Sequence, residues 1–281
     1  LGNNQAFVAF GSSAQANVQL SNVVNGSGGF HISGMPQGGV DAAVSAAGDF
    51  NGDGLTDLIV GNPGSTGNNT SSNTGSSYLI YGTTSSATIN VTSMQASQGF
   101  AIHGQTTNEY SGTSVSAAGD VNGDGLADVI VGAPKVSALG TNSAGNGIGR
   151  SYVLFGQTGA AATVELSALQ TGSKGFYINA EAASGSLGYS VSNAGDVNGD
   201  GLSDLIVGAG NIASGAGRSY VVFGKTDYNA VNLTALTAAT PSGGFAISGE
   251  SASDGSGNSV SAAGDVNGDG LADLVVLAAS A

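Results

Sequence analysis

A nine-residue string rich in aspartate occurs four times in this chain, each time just before an apolar run. It reads D-x-N-G-D-G-L-x-D, and its copies begin at Asp49, Asp120, Asp196 and Asp265. Alternate residues of a tightly wound loop can direct their oxygens at one centre, and position 7 can add its backbone carbonyl. A shell made only of oxygen suits Ca²⁺ better than zinc or copper. The string therefore predicts about four calcium sites, one in each copy.

The predicted ligands occupy positions 1, 3, 5, 7 and 9 of each copy, and the leucine at position 7 contributes its carbonyl oxygen. In chain order they are Asp49, Asn51, Asp53, Leu55, Asp57, Asp120, Asn122, Asp124, Leu126, Asp128, Asp196, Asn198, Asp200, Leu202, Asp204, Asp265, Asn267, Asp269, Leu271 and Asp273. The alternative is a polar hairpin turn, since Asn-Gly and Asp-Gly are strong turn signals. We favour a metal site because every copy keeps its aspartate at position 9.

The flanking residues indicate which kind of loop this is. An EF-hand requires a glutamate at position 12 and a helix on each side. Position 12 is a valine in every copy, and it lies in β-branched runs that predict buried strands. These valines are Val60, Val131, Val207 and Val276. The sequence therefore predicts a strand-loop-strand site and excludes an EF-hand.

The composition restricts the class of protein. The chain has 281 residues, of which 40% are hydrophobic, so it can bury a sizeable core. Its net charge is −14, but each loop holds three aspartates, so twelve of the nineteen acidic residues belong to the loops. The five basic residues form no stripe, which excludes nucleic acid as a partner. No apolar run is long enough to predict a membrane span.

Other markers repeat in step with the loops. Aromatic-glycine pairs recur at Phe10, Tyr81, Phe155 and Phe223, and the loops themselves are 71, 76 and 69 residues apart. A period near 70 residues predicts a repeat architecture. The predicted units are 1–38, 39–108, 109–184, 185–253 and 254–281.

The third unit illustrates the predicted content of one repeat. Apolar and alternating runs predict strands at 188–192, 205–207, 218–223 and 244–249, separated by glycine-rich turns. Val231, Asn232 and Leu233 fall in a variable segment before the last of these strands. Four short antiparallel strands in each unit are typical of a β-propeller blade, so the predicted fold class is all-β.

The repeats of this chain resemble those of a known family. Residues 188–209, which read G-Y-S-V-S-N-A-G-D-V-N-G-D-G-L-S-D-L-I-V-G-A, and V-G-A-P at 131–134 are similar to the FG-GAP repeats of integrin α-chain β-propellers and their bacterial relatives. The resemblance implies that the loop joins adjacent strands of a blade and binds Ca²⁺. The chain departs from the pattern at 41–44, which read D-A-A-V where the other units have a serine before the valine, and at 277–279, which read L-A-A and lose the repeated glycine.

The first and last units are incomplete. The chain opens on a third strand, Ala6 to Gly11, and stops after a second strand, Leu274 to Val276. The first piece could complete the last blade and close a ring of four blades. The resemblance implies seven blades more often, so a part of a longer propeller is an alternative. A head-to-tail filament is another, because unpaired edge strands template pairing between copies.

Catalytic chemistry is not expected from this sequence. The two histidines, His31 and His103, fall in predicted strands, and Glu181 and Glu250 are expected to be solvated. The chain lacks cysteine, so calcium takes the place of disulfides as a staple, which favours a secreted or cell-surface protein. We therefore expect a structural, adhesive or self-assembling propeller, not an enzyme.

Two alternatives remain at this stage: an accessory module of a larger secreted hydrolase, and a carbohydrate-binding module. The expected partners are calcium and a protein or glycan surface ligand, or another copy of the chain. Five Asn-x-Ser/Thr sequences are candidate glycosylation sites. They are Asn25, Asn68, Asn69, Asn90 and Asn232.

Overall fold

The computed structural model describes residues 4–13, 17–36, 42–66, 73–136, 147–159, 163–172, 174–181, 185–238 and 242–281. The strands are β1 (Asn4–Ala9), β2 (Gly29–Met35), β3 (Ala43–Gly48), β4 (Asp57–Asn62), β5 (Ser76–Ile80), β6 (Ile89–Asn90), β7 (Gly99–His103), β8 (Ser114–Gly119), β9 (Asp128–Ala133), β10 (Arg150–Leu154), β11 (Val164–Glu165), β12 (Gly175–Asn179), β13 (Ser190–Gly195), β14 (Asp204–Ala209), β15 (Arg218–Val222), β16 (Val231–Asn232), β17 (Gly244–Ser248), β18 (Ser259–Gly264) and β19 (Asp273–Leu277). The helices are α1 (Leu20–Val24) and two 3₁₀ segments, Leu166–Thr171 and Leu233–Ala235.

Three complete four-stranded antiparallel sheets form the body of the molecule. Their strand orders are β3-β4-β5-β7, β8-β9-β10-β12 and β13-β14-β15-β17, so each sheet follows the chain without a crossover. The second strand of each sheet is buried on both faces, which explains its continuous apolar sequence. The predicted blades of four antiparallel strands are confirmed.

Within the described residues, two of the complete blades and the sheet of β1 and β2 also receive a short extra strand from the next repeat. β6 pairs in parallel with β2, β11 with β7, and β16 with β12. The short strand between the third and fourth strands of one repeat therefore pairs with the outermost strand of the preceding repeat. The sequence placed residues 231–233 in a variable segment and did not predict this pairing.

The hydrophobic core lies between neighbouring blades. One cluster joins Ile59 and Leu79 of one blade to Tyr152 and Leu154 of the next, and similar clusters fill the other junctions. The first strands β3, β8 and β13 each pack against the first strand of the next blade, which is β8, β13 and β18 in turn. This stacking of sheets through their faces is the arrangement of a propeller.

Glycine permits the closest of these approaches. A Cβ at Gly132 would lie 2.0 Å from the carbonyl oxygen of Gly188 in the next blade. Gly61 and Gly208 likewise face the carbonyl oxygen of a glycine in the next repeat. The glycine in this position of the repeat therefore sets the spacing between blades.

Two half-blades flank the complete ones. β1 pairs with β2, and β18 pairs with β19. Within the described ranges no hydrogen bond joins β1 to β19, so hydrogen bonding does not close this propeller-type fold. Ring closure therefore remains a prediction. No helix in the described part of the chain has the length and apolar character needed to cross a bilayer.

Candidate functional site

The four Asp-rich loops join the first and second strands of their blades, as predicted. In the second loop the carboxylate of Asp120, at position 1, accepts hydrogen bonds from three backbone N–H groups. Its Oδ1 accepts from Gly123 at 2.7 Å and Asp124 at 3.1 Å, and its Oδ2 accepts from Gly125 at 2.8 Å. The third and fourth loops have the same three contacts. Position 1 therefore winds the loop around its own side chain.

Positions 3 and 5 continue this winding. The side-chain oxygen of Asn122 accepts from the N–H of Asp124 at 2.8 Å, and its amide nitrogen donates to Asp124 Oδ2 at 2.9 Å. Asp124 Oδ1 then accepts from the N–H of Leu126 at 2.9 Å. Since Asp120 and Asn122 both bind the N–H of Asp124, oxygens of positions 1 and 3 lie close together at the loop tip.

The aspartate at position 9 has a separate role that the sequence did not reveal. Asp128 is fully buried, its Oδ2 accepts from the N–H of Val121 at 2.8 Å, and its Oδ1 accepts from Gly156 at 2.8 Å. Gly156 belongs to the aromatic-glycine pair that follows the third strand. Asp57 and Asp204 make the equivalent contacts. The position-9 carboxylate thus ties the loop to the end of the third strand, and the shared periodicity of the two motifs was its only sequence signal.

The loop carboxylates whose pKa is shifted fall into two classes. Burial raises the pKa of Asp128 to about 7, although the N–H groups of Gly156 and Val121 act in the opposite direction. Burial also raises the pKa of Asp57 and of Asp204. At position 1, by contrast, backbone N–H groups led by that of Gly201 lower the pKa of Asp196, and Gly270 leads the same effect on the pKa of Asp265. The carboxylates of Asp196 and Asp265 are therefore charged at neutral pH, whereas burial opposes charge on the position-9 carboxylates of the three complete blades.

The donor set of each loop fits a hard cation, because it contains three carboxylates, one amide oxygen and one carbonyl, with no nitrogen or sulfur ligand. An ionised carboxylate offers about four lone-pair sites, so one that binds two N–H groups retains capacity for a further contact. As the side chains are placed, no three acidic or histidine side chains among the described residues cluster closely enough to enclose a metal. Their oxygens face the loop backbone.

The loops are also joined to one another. The carbonyl of Asp49 in the first loop accepts from the N–H of Ala127 in the second at 3.0 Å. Asp120 and Ser203 link the second loop to the third in the same way, and Asp196 and Ala272 link the third to the fourth. The four loops therefore form one hydrogen-bonded series at one end of the strands.

Comparison with known proteins agrees with this geometry. The FG-GAP repeat family matches residues 42–80, 111–154, 187–222 and 256–281, which include all four loops and together make up more than half of the chain. This chain belongs to the FG-GAP repeat family. Each matched segment begins near a first strand and contains one loop and the second strand that follows it.

Several integrin alpha chains are similar to this chain. Integrin alpha pat-2 of Caenorhabditis elegans is 32% identical over 184 residues, which cover 65% of this chain and 14% of the relative. Its counterpart from Caenorhabditis briggsae is 29% identical over 247 residues, covering 83% of this chain and 17% of the relative. Mouse integrin alpha-M is 37% identical over 103 residues, covering 36% of this chain and 8% of the relative. The FG-GAP chain thus spans less than a fifth of each of these proteins.

Other polar residues singled out in the sequence lie outside the loops, and His103 and Glu181 among them contact other side chains. His103 Nδ1 lies 2.9 Å from the hydroxyl of Ser76, and burial lowers the pKa of His103. Ser76 is buried, so its hydroxyl is not accessible to a substrate. The expectation that Glu181 is solvated was wrong, because it forms an ion pair with Arg218 of the next FG-GAP repeat. Glu250 is exposed, as expected.

The candidate glycosylation sites divide into two groups. Asn25, Asn90 and Asn232 are exposed, and the side-chain oxygen of Asn90 accepts from the N–H of Thr92 at 3.0 Å. Asn68 and Asn69 lie outside the described residues. Modification of any of the five remains a prediction.

Proposed function

We propose that this FG-GAP propeller binds calcium through its four loops and serves adhesion outside the cell, without catalysing a reaction. The observation that carries the proposal is the fourfold repetition of one all-oxygen donor set, in loops that are hydrogen-bonded in series. In each loop positions 1, 3, 5 and 9 would supply side-chain oxygens, and position 7 a carbonyl oxygen. The ion would neutralise the three carboxylates of the loop.

Stability explains why such a chain would use calcium. The protein has no cysteine, so disulfides cannot constrain it. A ligand present at 100 times its dissociation constant adds about 2.7 kcal/mol per site to the stability of the folded state. Extracellular calcium modules bind with dissociation constants of about 10⁻⁴ to 10⁻³ M, so the stabilisation depends on calcium levels found outside cells.

The relatives support adhesion and an extracellular location. They are named integrin alpha chains, and this chain resembles them through the repeats that build its scaffold. The proposed partner is a protein or a surface ligand. Residues 210–217, which join the second and third strands of the third complete blade, lie at the end of those strands opposite the calcium loop. Segments of this kind on a rigid scaffold commonly carry binding specificity.

Calcium titration of the chelated protein tests the metal assignment. Calorimetry should detect about four sites, and thermal unfolding should move upward by many degrees when calcium is restored. Asp124→Ala should remove one site, whereas Glu250→Gln, an exposed acid outside the loops, should keep all of them. Absence of binding heat together with an unchanged melting curve would overturn the calcium proposal.

Adhesion is tested separately with beads that carry the protein. The proposal predicts that a cell layer retains these beads in millimolar calcium and releases them in chelator. Retention no greater than that of albumin-coated beads in calcium would contradict the adhesive role, whatever the result of the calorimetry.

A further inference from the structure

An open groove of about 480 Å³ lies between the second and third repeats. Leu169, Gly172 and Tyr177 of the second repeat line it together with the turn at 227–230 of the third repeat. Asp227, Tyr228 and Asn229 of this turn line the groove. Its volume is within the range of small-molecule sites, roughly 300 to 1,000 Å³.

The turn that presents Tyr228 is rigidly built. Lys225 Nζ lies 2.6 Å from Asp227 Oδ1 and donates to the carbonyl of Asn229 at 2.5 Å. Asp227 Oδ1 also accepts from the N–H of Asn229 at 2.7 Å, and the hydrogen bond from Lys225 lowers the pKa of Asp227. The N–H of Lys225 donates to the carbonyl of Val121 in the second loop at 2.8 Å. A turn fixed in this way has little conformational entropy to lose on binding.

Two tyrosines supply the apolar surface of the groove. Tyr228 is 45% exposed, and its ring packs against Phe155 with a centroid separation of 5.6 Å. Tyr177 is partly buried, and the guanidinium of Arg150 lies 4.8 Å from its ring centroid. Both rings are thus held in place by neighbours.

This site is not part of the repeated scaffold. The residues that follow the aromatic-glycine pair are T-T-S-S-A at 83–87 of one repeat and Q-T-G-A-A at 157–161 of the next, but K-T-D-Y-N at 225–229 of the third. Serine and alanine therefore stand where the third repeat has Tyr228. Because residues common to every repeat serve the fold, a rigid aromatic turn found in one repeat calls for a different explanation.

We propose that this groove binds a neutral sugar unit of a polysaccharide. A pyranose ring presents C–H groups on its faces and hydroxyls around its rim, so it requires aromatic faces beside a few fixed polar groups. Tyr228 and Tyr177 supply the aromatic faces. The carboxylate of Asp227 can accept hydrogen bonds from sugar hydroxyls, and the amide of Asn229 can both donate and accept them. The open form of the groove admits a unit within a longer chain.

The electrostatics favour a neutral sugar over a charged one. The carboxylate of Asp227 lines the groove, and the whole protein carries a net charge of −14, which repels uronic acids and sulfated glycans. Lys225 already balances Asp227, so the groove has no strong preference for a cationic ligand.

Affinity electrophoresis in native gels tests this proposal. The acidic protein is run in calcium-containing gels that hold starch, galactomannan, laminarin or xylan, with alginate as the acidic comparison. At least one neutral polysaccharide should retard the protein, and alginate should not. Tyr228→Ala should weaken the retardation about tenfold, the scale of loss when one aromatic anchor is removed. Tyr228→Phe should retain it.

The matched control is Tyr189→Ala, which removes a tyrosine that is 54% exposed and lies outside the groove. It should migrate like the parent protein in every gel. Asn229→Ala gives a second test that leaves the packing of Tyr228 on Phe155 intact. The proposal is overturned if no neutral polysaccharide retards the protein, or if Tyr228→Ala, folded by its melting curve, is retarded as strongly as the parent.

Discussion

The position-9 aspartate connects three parts of a repeat through one side chain. In the three complete blades it accepts from the second residue of the loop and from the glycine after the third strand. In the fourth loop, within the described residues, Asp273 accepts only from Val266. The position-9 aspartate therefore links the loop to the third strand in a complete blade, but among the described residues of the fourth copy it binds only within its own loop.

Removing this carboxylate should destabilise the protein even without metal. In Asp128→Ala the N–H groups of buried Val121 and partly buried Gly156 lose their acceptor, and an unsatisfied buried donor costs about 1 to 3 kcal/mol. We expect a loss of about 3 kcal/mol or more, measured by urea unfolding in chelator. Asp124→Ala, which alters the exposed tip of the same loop, is the control and should cost much less. Equal losses would show that Asp128 has no special structural role.

Glu109 provides a pH-dependent contribution outside the loops. It is fully buried, and its carboxylate accepts from the N–H groups of Gln105 and Thr106. Burial raises the pKa of Glu109 above its ordinary 4.5, although these hydrogen bonds and Arg150 oppose the rise. The folded state therefore binds this proton more tightly than the unfolded state does. Its contribution to stability is fully present below pH 4.5 and is lost as the pH rises through the folded-state pKa.

Glu109→Gln should remove this dependence. In chelator, the melting temperature of the parent should fall relative to that of the variant as the pH rises from about 4 toward neutrality. Glu250→Gln, at an exposed site, should follow the parent across the series. A constant difference between the parent and Glu109→Gln at all pH values would contradict the burial argument.

At the level of elements, the spacing between sheets depends on glycine. The φ angle of Gly132 lies outside the left-handed region, so an alanine there would be opposed by contact with Gly188 and not by backbone strain. Gly132→Ala should lower the free energy of unfolding by about 1 to 3 kcal/mol, the usual cost of overpacking. Glu250→Gln, at an exposed site, is the control and should change stability little.

The elements differ in how far the sequence could predict them. β4, β9 and β14 were predictable because β-branched runs buried on both faces leave a clear signal. The two-residue strands β6, β11 and β16 were not, because their pairing depends on an outer strand of the preceding repeat. α1 was missed as well, since a five-residue helix has no complete apolar period.

The loop geometry shows the same limit. Spacing alone identified the polar residues of all four loops, because hydrogen-bonding side chains at alternate positions wind a loop in a defined way. It could not reveal that Asp57, Asp128 and Asp204 each accept a hydrogen bond from a glycine that lies 20 or more residues later in the chain. That contact exists only once the third strand lies beside the second.

At the level of the whole molecule, the two half-blades carry complementary unfinished surfaces. Val44 is 66% exposed, whereas Val115, Val191 and Val260 at the same place in later repeats are each 7% exposed. Val275 is 54% exposed, although its counterparts in the complete blades are fully buried. Among the described residues, β18 and β19 pair with no third or fourth strand, and β1 and β2 are strands of these two kinds.

The register of a completed blade follows from the existing ones. Leu58 pairs with Ile80 and Ile59 with Leu79 in the first complete blade. The corresponding residues are Leu274 with Ala9 and Val275 with Val8, which would also bring the N–H of Gly11 toward Asp273. We therefore expect β1 to pair with β19, either within one chain or between copies.

Disulfide trapping tests this pairing, because the chain has no cysteine of its own. Val8→Cys combined with Val275→Cys should form a disulfide under mild oxidation, since directly opposed strand residues fall within the Cα separation of about 4.4 to 6.8 Å that a disulfide requires. A bond within one chain indicates a closed ring, and a ladder of covalent oligomers indicates head-to-tail assembly. Val8→Cys with Leu277→Cys, two residues out of register, should cross-link poorly. If neither pair cross-links, β1 does not complete the blade of β19, and other strands must cover both edges.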